Sequence, residues 1–200
     1  MNLLDIQPAL QCMANNQIVT DLRSHTYLSS YPDILAFAGG GAAITPSNFR
    51  QISLMVYGWM PRVLRLNPIH FQNAVNAAAR ALTATTLNYQ TVPIQHIADC
   101  MHSLVGASKL LHFINPHVFA IWDSRIQAFR NLPNDNNAMS NIQNYYAYMD
   151  EVHNVVADPN FNLFYQQYNQ LLSARLLASN IPVYNVGQIR AVEGSAFELA

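Results

Sequence analysis

The sequence predicts an all-α fold, and three observations lead to it. Apolar residues recur at three- and four-residue spacing through most of the chain, the signature of helices with one buried face. Proline stands where such segments begin or end, at Pro46, Pro61, Pro68, Pro93, Pro116 and Pro159, because it suits a first helical turn and interrupts an interior. The 200 residues are 51% apolar and 10% charged, against roughly 25% charged in an average globular protein. That composition fits one packed domain, or two small lobes sharing a core.

The elements follow in order. Residues 15–30 place Ile18, Val19, Leu22 and Tyr27 at helical spacing. The run 37-FAGGGAAITPSNF-49 reads as a flexible connection, since three successive glycines oppose a regular element. Thr45-Pro46-Ser47 opens the next helix, which continues through Met60 until Pro61 ends or kinks it. Asn67-Pro68 starts an alanine-rich helix over 69–85, and Pro93 starts one over 94–104. Val105-Gly106-Ala107 reads as a short turn, with Ser108 as N-cap of a brief helix over 109–114. Asn115-Pro116 breaks it, and Asp123 stands at the N-cap position before 124–132. A polar loop is expected at 133–141, then helices near 142–157 and 160–179. The tail from Ile181 shows no helical period, and 183–186 is expected to form a short strand.

Several function classes drop out. No apolar run reaches the ~18 residues of a membrane span, and the N-terminal MNLLDIQPAL lacks the basic residues of a secretory signal. Cys12 and Cys100 are too few for a disulfide scaffold or a four-cysteine site, so free thiols in a reducing cytoplasm are expected. His96, Cys100 and His102 lie close in sequence, but no further ligand is spaced to complete a metal set. Neither a metal nor a cofactor is expected. The formal net charge of −1 opposes a broad electrostatic footprint on nucleic acid, though backbone N–H groups at a helix N-terminus can hold a phosphate without side-chain charge.

One residue stands out. Lys109 is the only lysine, beside nine arginines and 21 asparagines. Asparagine and lysine codons differ only at the third base, so base composition is a poor explanation for the shortage. Residues 94–114 read as helix, short glycine-containing turn, helix, with Lys109 in the first turn of the second helix among Leu110, Leu111 and Phe113. The helix dipole and desolvation both disfavour an ammonium there. An amine so depressed is suited to Schiff-base chemistry. Asp123, fourteen residues on, could return beside it to stabilise positive charge on a sugar or move a proton.

At Gly106, Lys109 and Asp123, over residues 94–131, the chain resembles the helix-hairpin-helix DNA glycosylase/AP lyase superfamily, which includes the 8-oxoguanine glycosylases. It has one glycine where that family usually has two, and its Lys-to-Asp segment is shorter. The resemblance implies a two-lobed helical fold that acts on DNA with a flipped base in the cleft. Lys109 would attack C1′ and Asp123 would be its electrostatic partner. Gly106, Ser108, His112, Trp122 and Arg125 would meet the nucleotide or its phosphates. Two other readings fit the same residues. One is a non-catalytic helical binding module of this fold. The other is an effector or toxin-associated protein whose lysine shortage shields it from ubiquitination.

Overall fold

A computed structural model describes residues 1–41, 43–60, 62–133 and 135–200. The helix end assigned to Pro61 lies outside the described residues, as do Ala42 and Asn134 in two of the expected loops. Among the described residues the regular structure is entirely helical. The order is α1 (Leu3–Ile6), α2 (Pro8–Asn15), α3 (Leu22–Gly39), α4 (Pro46–Trp59), α5 (Phe71–Thr83), α6 (Ile94–Met101), α7 (Leu104–Ile114), α8 (Ser124–Phe129), α9 (Asn136–Ser140), α10 (Ile142–Val156), α11 (Phe161–Ala178) and α12 (Gln188–Glu198).

Local chemistry explains most boundaries. Asp21 caps α3 through the Ser24 N–H, so the helix starts at Leu22 and not near residue 15. It runs on through Phe37 and Ala38 to Gly39, where a loop is expected. Pro32, inside α3, cannot donate to the Leu28 carbonyl, and the Tyr184 hydroxyl donates to that carbonyl instead, at 2.8 Å. Thr45 and Asn48 form a capping box at the start of α4, with Pro46 in its first turn. Asp135 caps α9, so part of the expected 133–141 loop is helical.

Packing divides around two helices. α7 touches α3, α4, α5, α6 and α9; α12 touches α1, α2, α8, α10 and α11. α7 is buried along nearly its whole length, and one continuous apolar cluster joins both groups. Its largest fully buried members include Trp122, Tyr145, Tyr148, Phe49 and Phe113. Burial of each such side chain contributes about 1.5–3 kcal/mol.

Two corrections concern the C-terminal tail and the hairpin. Residues 183–186 form no strand. The buried backbone of Val186 is satisfied by side chains: its N–H donates to Asn169 Oδ1, and Tyr165 Oη donates to its carbonyl. Beyond them lies α12, whose inward face is built from Ala191, Glu193, Gly194 and Ser195 as well as Ile189 and Val192. Small and charged residues on a buried face hide the helical period. The hairpin turn is also displaced. His102, in the left-handed region at φ 49°, ends α6, and Ser103 caps α7 through the Gly106 N–H. The Val105-Gly106-Ala107 turn is therefore the first turn of α7.

Candidate functional site

The site forms where α7 faces α12. Its framework is the irregular segment between α7 and α8, whose residues 118–122 are all buried. A buried backbone without a ladder partner must find its hydrogen bonds elsewhere. Here side chains supply them. His153 Nε2 donates to the Val118 carbonyl, and His112 Nδ1 donates to that of Phe119. Tyr145 Oη donates to the Ala120 carbonyl, while the Ile121 N–H donates to Glu193 Oε2 at 3.3 Å. The Trp122 N–H donates to Ser108 Oγ at 2.9 Å. At the entry, Asn115 Nδ2 donates to the Ala81 and Ala84 carbonyls at the end of α5. At the exit stands Asp123. Its Oδ1 accepts from the Arg125 and Ile126 N–H groups, which makes it the N-cap of α8 as expected.

These bonds correct three expectations. Ser108 is no N-cap. It lies in the interior of α7, fully buried, and braces the helix to Trp122. His112 is no phosphate contact. With no exposed surface, it donates from Nδ1 to a carbonyl, so its Nε2 accepts from Tyr31 Oη at 2.8 Å. That fixes the neutral tautomer, and burial pushes the imidazole down to about 3. Trp122 is fully buried and offers no stacking face to a ligand; its indole N–H donates to the Met139 carbonyl. Gly106 is buried as well. A Cβ there would meet the Tyr57 ring at 3.0 Å, so glycine admits Tyr57, whose hydroxyl donates to the Met101 carbonyl at the hairpin. Arg125 is exposed and lies over the Phe197 ring at 4.2 Å.

Lys109 is in the second turn of α7, one turn later than its spacing suggests, and the dipole of the first turn acts on it only weakly. Burial is what lowers its pKa. Asp123 and Glu193 oppose the shift; Arg190 and Arg23 reinforce it. Its Nζ lies 4.9 Å from the centre of the Trp59 ring, a cation–π contact. Trp59 in turn meets Tyr27 at 5.0 Å, and Arg23 Nε donates to the Tyr27 hydroxyl. The Trp59 indole N–H is buried with no hydrogen-bond partner. Among the described residues no carboxylate oxygen comes within 4.0 Å of the amine. Lys109 and Asp123 thus form no contact pair.

Sequence reasoning missed the α12 half of the site. Glu193 is 2% exposed and bonds Arg190, which also lies 5.0 Å over the Tyr31 ring. Burial drives the Glu193 carboxyl up to about 7, against the pull of Arg190 and Lys109. The signal was the i, i+3 spacing of Arg190 and Glu193 flanked by Ile189, Val192 and Ala196.

Comparison with protein-family models, with curated proteins and with solved structures finds no match. Function therefore has to be argued from this site alone. Among the described residues no three His, Cys, Asp or Glu side chains are grouped to hold a metal ion, and no helix is long and apolar enough to cross a membrane.

Proposed function

We propose that the protein is a Schiff-base enzyme acting on a flipped nucleotide in DNA, a base-excision glycosylase with AP lyase activity, in a helical fold of two lobes. One observation carries the reading. The only lysine amine of the chain is partly buried on α7 and lies 4.9 Å over the Trp59 ring. Desolvation favours the neutral amine, which is the nucleophile. In the reaction Lys109 Nζ forms a bond to C1′ while the glycosidic bond breaks, and the base leaves with the proton that Nζ gives up; opening of the C1′–O4′ bond, with the second Nζ proton passing to O4′, then yields the imine. Asp123, fixed in place by the N–H groups it caps, stabilises the positive charge that develops on the sugar.

The test is borohydride trapping on a duplex containing an abasic site. Reduction of the imine should yield a covalent protein–DNA adduct mapping to Lys109, and Lys109→Gln should abolish it with the fold retained. DNA binding without any adduct across pH 6–9 would instead indicate a non-catalytic binding module and overturn the assignment.

A further inference from the structure

We infer that Trp59 is a latch on Lys109: its ring holds the amine while it is an ammonium, and loss of the proton that makes the amine a nucleophile also releases it from the ring. The inference rests on the reading of Lys109 as a nucleophile. It makes Trp59, at the end of α4, a positioning residue for the resting amine.

Direct contact carries the inference. Lys109 Nζ lies over the Trp59 ring, 4.9 Å from its centre, inside the roughly 6 Å over which the negative face of a ring attracts a cation. Among the described residues no carboxylate within 4.0 Å competes for the amine. A neutral amine offers the ring no charge to attract, so the contact belongs to one protonation state. The ring itself is fixed. Phe113 meets it edge-on at 5.2 Å. Tyr27 lies 5.0 Å from it and is held by Arg23, which donates from Nε to the Tyr27 hydroxyl at 2.9 Å. Lys109 and Phe113 stand four residues apart on α7, so one helix face supplies both contacts to the indole. Trp122, the other tryptophan, donates its indole N–H to the Met139 carbonyl. The buried Trp59 N–H has no acceptor among the described residues, although buried tryptophan normally finds one. What meets its ring, and not a hydrogen bond, sets the orientation of Trp59.

Two effects oppose each other at the amine. Burial favours its neutral form, and the ring favours the charged one. The charged groups that act on it most strongly come from three elements and pull both ways. Asp123 at the start of α8 and Glu193 on α12 favour the ammonium; Arg190 on α12 and Arg23 on α3 disfavour it. His112, three residues on along α7, is neutral by its hydrogen bonds and adds no charge. The proton leaves to water, which the half-buried amine reaches. On the ring the ammonium is inert; off it, the neutral amine is free to turn toward an electrophile.

The lone lysine makes the test direct. Protein labelled with 13C at lysine Cε gives one side-chain signal from 200 residues. In the wild-type protein, nuclear Overhauser contacts between Lys109 Hε and the Trp59 ring should be present below the Lys109 titration midpoint and lost above it. Contacts that persist above the midpoint would overturn the release. Replacement of tryptophan by mono-, di- and trifluorotryptophan weakens the negative face of the ring and keeps its shape. The Lys109 midpoint should then fall stepwise, by about half a pH unit to one unit in all. Trp122 is substituted too, but it is fully buried against Tyr145 and Tyr148. A ring that merely covers the amine would leave the midpoint in place, and that result would overturn the latch. Borohydride trapping of an abasic-site duplex should rise about three- to tenfold below the midpoint, in proportion to the neutral amine, and converge with the wild-type rate above it. A stepwise fall in the midpoint with no trapped DNA would uphold the latch and refute the substrate.

Discussion

Glu193 and His112 should pull the stability of this protein in opposite directions with pH, and replacing one should expose the other. Glu193 is driven from 4.5 up to about 7 in the folded state. Its protonated form is the one the fold prefers, so its contribution is fully present below pH 4.5 and is lost as pH rises through 7. His112 is driven from 6.5 down to about 3. The fold prefers its neutral form, so its contribution is fully present above pH 6.5 and is lost as pH falls toward 3. One fully linked proton changes stability by about 1.4 kcal/mol per pH unit. Between pH 4.5 and 6.5 the two slopes cancel, and the wild-type unfolding free energy should be nearly flat. Glu193→Gln removes one slope and keeps the acceptor for Ile121. All remaining groups are common to both proteins, so the difference between them isolates Glu193. It should change by about 1 kcal/mol per pH unit across pH 5–6.5, with the variant losing stability toward acid. Urea denaturation at half-unit intervals measures it. Parallel curves for the two proteins would refute the reasoning, because they would mean that Glu193 takes up no extra proton on folding.

Two further substitutions test the framework. Ser108→Ala leaves the buried Trp122 N–H without its acceptor and should cost about 1–3 kcal/mol by urea denaturation; because that bond lies one residue from Asp123, trapping should fall as well. Gly194→Ala places a methyl against the Tyr168 hydroxyl, between α12 and α11, and should cost about 1–3 kcal/mol as overpacking, with Tyr168→Phe restoring part of the loss.

The helices from α4 to α11 were largely legible because their apolar faces are made of large residues and their starts carry Thr45-Pro46, Pro93, Asp123 or Asp158-Pro159. The cap role of Asp123 was legible from its place before 124–132. What was illegible shares one physical cause. The chain uses buried side chains to satisfy irregular backbone, so Ser108 and His112 look like site residues in sequence while their partners are a backbone N–H and a carbonyl of the 118–122 segment. The same habit hid α12, whose inward face carries a charge pair where periodicity expects leucines. Gly106 misled for a related reason. It serves the approach of Tyr57, whereas the left-handed turn is made by His102.

The net charge of −1 bears on the DNA reading less simply than its value suggests. All three glutamates hold arginines: Glu151 with Arg130, Glu193 with Arg190, Glu198 with Arg175. Four of the eight aspartates, at 5, 21, 123 and 135, bond N–H groups at helix starts. Most of the acidic charge thus serves architecture, fixed close to donors that neutralise its field. Six arginines stay outside glutamate pairs, at 23, 50, 62, 65, 80 and 125. Arg23 reaches the site directly through Tyr27 and acts on Lys109. Arg62 follows α4 and acts on Tyr57, which is anchored at the α6–α7 hairpin. On the proposed reading, contact with a few phosphates around one displaced nucleotide would ask less of so nearly neutral a chain than a long duplex track.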